Sequence, residues 1–154
     1  EHLTRHPPRT GIRMPAGSWG AKGDFSMWLS ESTAWTWQRL WPLEAAFWDA
    51  APAALEDPAA HAALAQAARS LLLAQSSDWQ FIISTGAVVD YAERRFTGHC
   101  NDLERLVRAL TDGSPTALAE GTAFAASIAS RDDLFPDILP SLAAALDTRT
   151  QVAH

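Results

Sequence analysis

The sequence predicts an all-α fold: a four- to five-helix bundle preceded by a long loop rich in glycine and tryptophan. Three observations predict it. Apolar residues recur at spacings of three, four and seven over much of residues 37–110. Asp-Pro, Ser-Pro and Asp-Gly pairs stand where those runs begin and end. No segment alternates apolar and polar residues as a half-buried strand does. At 154 residues, 47% of them hydrophobic, the chain has the size and composition of one domain with a packed core.

Residues 1–10 read as a linker, since Pro7 and Pro8 oppose regular helix there. Residues 11–30 form a loop in which Gly17, Gly20 and Gly23 recur every third position. A loop of that length in a compact domain is functional or disordered, and its tryptophans argue against disorder. A helix is expected from Ser30, capped by Ser30 or Ser32. Trp37, Leu40, Trp41, Leu43, Phe47 and Trp48 supply its apolar face, Pro42 kinks it and Pro52 stops it.

Asp57-Pro58 opens the next helix, through Ala59–Gln75, and Ser76-Ser77-Asp78 interrupts it before a short apolar segment, Trp79–Ser84. Thr85-Gly86 is expected to open the main helix. Its seam is Ala92, Phe96, His99, Leu103, Leu106 and Leu110, and Gly113 closes it in a left-handed conformation. Ser114-Pro115 starts an alanine-rich helix to about Ser130, and Ser141–Leu146 forms a last short one. The domain therefore spans residues 11–140, with a short helix and tail over 141–154.

A net charge of −6, with 12 Lys and Arg against 18 Asp and Glu and no basic cluster, argues against nucleic acid as a partner. The apolar runs are too short and too interrupted to span a bilayer. One cysteine, Cys100, excludes an internal disulfide and suits a reducing compartment. No metal site is expected: of the histidines at 2, 6, 61, 99 and 154 only 2 and 6 stand four apart, and they lie in the stretch read as linker, so no helical pair exists. His99 reads as a core-edge histidine bonded to a neighbour, and Cys100 as an unreactive thiol.

Carboxylates are the other chemistry worth weighing. Asp24, Asp78 and Asp90 are candidates, with capping or helix-dipole roles as the plainer reading of Asp78 and Asp90. The seven tryptophans say more. Trp35, Trp37, Trp41 and Trp48 fit a helix and read as core. Trp19 and Trp28 lie in the loop or at its edge, where packing does not explain them. A flat indole among glycines and polar groups suits the apolar face of a sugar ring.

The residues themselves then carry a resemblance. Ser18-Trp19-Gly20, Gly23-Asp24, Trp28-Leu29 and Thr33-Ala34-Trp35 resemble a signature of glycoside hydrolase family 57, and more narrowly the helical C-terminal region of its 1,4-α-glucan branching enzymes. Leu71–Phe81, Asp90–Phe96 with His99, and Asp132–Ile138 are similar to further stretches of that region, in the same order. Glu1–Pro8 resembles the connection leaving the family's catalytic barrel.

The resemblance implies a retaining transglycosylase whose catalytic glutamate and aspartate stand on an upstream barrel, with neither motif in this chain. Carried over by position, Trp19 and Trp28 are α-glucan platforms, while Asp78 and Trp79 line or support the cleft. It implies no metal or organic cofactor, an α-glucan and the upstream barrel as partners, and a cytoplasmic setting. Gln80 stands where the family more often has proline, Ser30 where it has asparagine, and the loop is less acidic; these bear on glucan preference. A stand-alone glucan-binding module, a bundle that only docks a partner, and the same domain of a related amylase or 4-α-glucanotransferase remain open alternatives.

Overall fold

The computed structural model describes residues 2–7, 10–11, 13–20 and 22–152. Among them every regular element is helical: α1 (His2–Arg5), α2 (Ala34–Glu56), a 3-10 turn (Pro58–Ala60), α3 (His61–Ala74), α4 (Asp78–Thr85), α5 (Val89–Asp112), α6 (Pro115–Ala129) and α7 (Ile138–Val152). The bundle proper is α2, α3, α5, α6 and α7, with the loop ahead of it, as the apolar spacing predicts.

The centre is α5. Ala92, Phe96, His99, Leu103, Leu106 and Leu110, the whole predicted seam, are buried, and α5 packs against α2, α3, α4 and α6. Trp35 meets Phe96 edge-on at 5.3 Å and 85°. α3 lies beside α5 and also touches α2, α6 and α7. α6 approaches closely because Gly121 lacks a side chain: a Cβ there would stand 2.9 Å from Ala109 Cβ and 3.5 Å from Ala63 Cβ.

Several ends fall where the sequence puts them. Asp57 Oδ1 accepts from Ala59 N–H at 2.9 Å with proline next in line. Ser114 Oγ accepts from Ala117 N–H at 3.3 Å, and Gly113 is left-handed at φ 66°.

Others differ. α2 begins at Ala34 rather than Ser30, because the Ser30 carbonyl closes a preceding turn by accepting from Thr33 and Ala34 N–H. It runs through Pro42 and past Pro52 to Glu56, so Pro52 does not stop it. Burial of Ala51 and Ala54 offsets the hydrogen bond that Pro52 cannot make, and the helix ends at Asp57, held extended by Pro58.

Thr85-Gly86 closes α4 instead of opening α5: Gly86 is left-handed at φ 72° and donates back to the Ile82 and Ile83 carbonyls. α3 begins at His61, after a 3-10 turn, and ends at Ala74. α7 is longer than the expected Ser141–Leu146, since Pro140 sits in its first turn, where no N–H is required. Within the expected linker, His2–Arg5 forms one helical turn that ends before the residue preceding Pro7; Glu1, Pro8 and Arg9 of that linker, and His154 of the tail, lie outside the described residues.

The segment between α6 and α7 is stitched to the bundle. Phe135 holds a left-handed φ of 52°, which costs a side-chain-bearing residue about 1–3 kcal/mol. Arg69 of α3 offsets this by donating to the Leu134 carbonyl at 2.5 Å and the Phe135 carbonyl at 3.4 Å.

The close α6 contact generates a prediction. Gly121→Val should lower stability by about 1–3 kcal/mol through overpacking against Ala109 and Ala63. Urea denaturation measures it, and an unchanged midpoint would contradict the packing described.

Candidate functional site

The described residues of the loop, 13–20 and 22–30, are held by their own hydrogen bonds and by three helical residues behind them. Ser18 N–H donates to the Gly23 carbonyl at 3.1 Å, and Gly23 N–H to the Gly20 carbonyl at 3.0 Å. Gly17 permits this closure, since a Cβ there would stand 2.8 Å from the Gly23 oxygen; Gly23 itself is left-handed at φ 65°. The Ser26 hydroxyl donates to Asp24 Oδ1 and, with the Ser26 N–H donating to the same oxygen at 2.9 Å, holds the carboxyl below the usual carboxylate range.

Trp28 is fixed on every side. Its indole N–H donates to Ser18 Oγ at 2.5 Å. Its carbonyl accepts twice, from Thr33 Oγ1 at 3.0 Å and from the Trp37 indole N–H at 2.7 Å. Ser84 of α4 donates to the neighbouring Met27 carbonyl at 2.6 Å.

Trp19 and Trp28 come together on one phenyl ring. Phe81 of α4 lies 5.7 Å from the Trp19 ring, tilted 52°, and 6.4 Å from the Trp28 ring, tilted 34°. Trp19 is 67% exposed and Trp28 half-buried, so Trp19 offers its surface to solvent while its partner is seated. Asp78 stands one turn before Phe81 on α4, exposed, and accepts from Ser76 Oγ at 2.6 Å. Sequence reasoning assigned Phe81 no role. The signal was its place three residues after Asp78, on the same helical face.

Trp79 is placed differently. It is buried, its indole N–H donates to the Leu73 carbonyl at 2.7 Å, and its ring lies 6.3 Å from Tyr91 and 6.1 Å from His99. Any part it plays in the site is support from within. Gln80 is buried beside it and donates to Thr36 Oγ1 at 3.0 Å, tying α4 to α2. Of the helical tryptophans, Trp35, Trp37 and Trp48 pack against the core, but Trp41 is 57% exposed and leans on Trp37 at 5.8 Å, contrary to the core reading. Asp90 lies exposed in the first turn of α5, the dipole position expected of it.

A second polar cluster lies behind Trp79. His99 is fully buried, and neither ring nitrogen has a hydrogen-bond partner, which corrects the expectation of a bonded core-edge histidine. Its Nδ1 stands 3.8 Å from Asp132 Oδ2, too long for a hydrogen bond. The cause is competition: Arg131 donates to that oxygen at 2.6 Å and to Asp102 at 2.5 Å, and Arg95 lies 4.0 Å from the other Asp132 oxygen.

His99, Asp102 and Asp132 bring ligand atoms within 4.8 Å of one another, a grouping of metal-ligand type that spacing along the chain does not reveal. Arg131 already bridges both carboxylates and, with Arg95, balances their charge, so the group does not fit a divalent ion. Burial of Cys100 pushes its thiol up to about 11, as expected of an unreactive cysteine. A surface hollow of about 570 Å³ beside α6 is lined by residues such as Leu118, Ala119 and Ala123 and by none of the predicted site residues.

Against this geometry the chain has clear likenesses. Residues 43–142 match the family model described as 1,4-alpha-glucan branching enzyme, C-terminal. The 1,4-alpha-glucan branching enzyme TK1436 of Thermococcus kodakarensis is 39% identical over 104 residues, 64% of this chain and 15% of that protein. The GH57-type branching enzyme of Pyrococcus horikoshii superposes with a TM-score of 0.67 at 30% identity, over 80% of this chain and 25% of the other. The structure of TK1436 in complex with glucose and additives gives 0.64 at 31% identity, over 80% and 24%. The chain thus spans a quarter or less of the length of these relatives.

The buried histidine sets a pH dependence. Burial holds His99 below its ordinary value of 6.5, reinforced by Arg95 and Arg131 and opposed by Asp132 and Asp102. The unfolded chain takes up this proton near 6.5 and the folded chain does not. Stability is therefore level above that pH and falls below it, by at most about 1.4 kcal/mol per pH unit. Glu104, held low first by its hydrogen bond from Arg39, loses its contribution only as pH falls below its ordinary 4.5. Urea midpoints between pH 7.5 and 5 should drop below 6.5, and His99→Gln should flatten the drop; equal slopes in both proteins would contradict this.

Proposed function

Because this chain belongs to the 1,4-alpha-glucan branching enzyme C-terminal family, we propose that it forms one wall of an α-glucan cleft, in a transglycosylase that makes α-1,6 branches. The catalytic glutamate and aspartate of that reading stand on a barrel carried outside these 154 residues. The reaction is retaining: a glycosyl-enzyme forms on the glutamate, and a glucan 6-hydroxyl, rather than water, takes up the sugar. In this scheme the present chain supplies binding and shelter, and the chemistry calls for neither a metal nor an organic cofactor. The setting is cytoplasmic, where a reduced Cys100 and the substrate belong; among the described residues no helix is long and apolar enough to cross a membrane.

One observation carries the reading: two loop tryptophans, nine residues apart in sequence, seated on the same Phe81 ring, with Trp19 67% exposed. An indole left two-thirds exposed gains little from packing and presents a flat apolar face, which the C–H face of a glucose ring matches. Asp78, exposed one helical turn from Phe81, is placed to accept from sugar hydroxyls. Trp79 holds α4 in place from the buried side. The Gly17–Gly23 closure supports the reading further, because a platform ordered before binding loses less entropy when the sugar arrives.

Two measurements test it. Titrating the protein with maltoheptaose, followed by tryptophan fluorescence, should show binding in the millimolar range or tighter. Trp19→Ala should weaken it on the order of tenfold; an unchanged affinity removes Trp19 from the site. In the polypeptide that carries the barrel, Trp28→Ala should lower branching transfer relative to hydrolysis, since a cleft that admits water loses the acceptor's advantage. An unchanged partition would sink that part of the reading.

A further inference from the structure

The geometry points to Phe81 as a positioning residue that holds both loop tryptophans in register for the sugar. This inference rests on the reading of Trp19 and Trp28 as glucan platforms, and adds what sets their geometry. Among the described residues between 13 and 30 the loop carries no helix or strand, so backbone hydrogen bonding alone does not fix the angle of an exposed indole. Trp19 has a ring contact behind it, and that ring is Phe81, at 5.7 Å; the same ring meets Trp28 at 6.4 Å. One side chain therefore backs both indoles, and Ser18 holds the Trp28 indole N–H from the loop side.

Phe81 is itself well anchored. Its N–H donates to the Ser77 carbonyl at 3.2 Å within α4. On the buried side of that helix, Trp79 donates to the Leu73 carbonyl and Gln80 to Thr36 Oγ1, both neighbours of Phe81 in sequence. Three residues on, Ser84 donates to the Met27 carbonyl at 2.6 Å and clamps the loop backbone beside Trp28. Asp78, Phe81 and Ser84, spaced by three, share one face of α4. That face meets the loop through its ring and its hydroxyl, while the opposite face is locked into the bundle. A platform backed in this way is ordered before ligand arrives, and the contribution appears as affinity.

The test separates positioning from general stability. The seven tryptophans are labelled as 5-fluorotryptophan, and their fluorine NMR resonances are assigned by single Trp→Phe changes. Phe81→Ala should shift and broaden the Trp19 and Trp28 resonances and leave Trp48, which packs on Phe47, in place. Maltoheptaose affinity should fall about tenfold. Phe81→Tyr should restore both readouts, whereas Phe81→Leu, which keeps bulk without a ring face, should not. Phe81→Leu and Phe81→Tyr carry the comparison if Phe81→Ala fails to fold.

Unmoved Trp19 and Trp28 resonances, or full restoration by leucine, overturn the inference. Resonances that respond to Phe81→Ala in a protein that binds no maltoheptaose would uphold the positioning and overturn the glucan reading instead. Lost affinity without a resonance change would do the reverse.

Discussion

The buried seam of α5 is the constraint on which the rest of the molecule is laid out. Ala92, Phe96, Leu103 and Leu106 are wholly enclosed, and α2, α3, α4 and α6 each settle against that helix. Burying one large apolar side chain contributes about 1.5–3 kcal/mol, so a seam shared by four neighbours fixes their relative placement more firmly than any surface ion pair could. Gly121 lets α6 approach α5 and α3 closely, and Arg69 ties the segment before α7 back to α3. The positions of α2 and α4, and through them of the loop, follow from where α5 holds them.

The short helix α4 converts that rigid core into a site. Trp79 and Gln80 face inward and make buried hydrogen bonds to the Leu73 carbonyl and Thr36, so the helix has little freedom to turn. Phe81 and Ser84 then meet the loop, and Asp78 stands exposed beside them. The loop adds its own closure at Gly17 and Gly23 and a doubly bonded carbonyl at Trp28. Polar and aromatic groups that would be costly or idle elsewhere are grouped here, with the buried ones bonded and one large indole left open to water. The charged cluster behind Trp79 follows a different logic. Arg131 bridges Asp102 and Asp132 and leaves His99 unbonded, a structural tie between α5 and the segment ahead of α7.

Much of this was legible in the sequence because the signals were local or strictly periodic. Asp57-Pro58, Ser114-Pro115 and Gly113 act through their own backbone geometry, and the α5 seam repeats at helical spacing. What was not legible depended on contacts across the fold. Pro52 reads as a stop, yet buried Ala54 carries α2 beyond it. Gly86 is as good a helix end as a beginning, and only the chain around it decides. Trp41 reads as core on a helical wheel, yet it stands more than half exposed on α2. The missing bond of His99 depends on Arg131 and Asp132, some thirty residues away. Trp19 and Trp28 stood out by being where packing did not need them, while Phe81 stayed hidden because an apolar residue on a short helix reads as core.

The most direct test of the account is a crystal structure of the protein with maltoheptaose bound. The account predicts glucose rings stacked on Trp19 and Trp28 at van der Waals distance, with Asp78 accepting from a sugar hydroxyl and Phe81 in its present place behind both indoles. Ordered sugar elsewhere on the molecule, with both indoles bare or covered by protein, would contradict it.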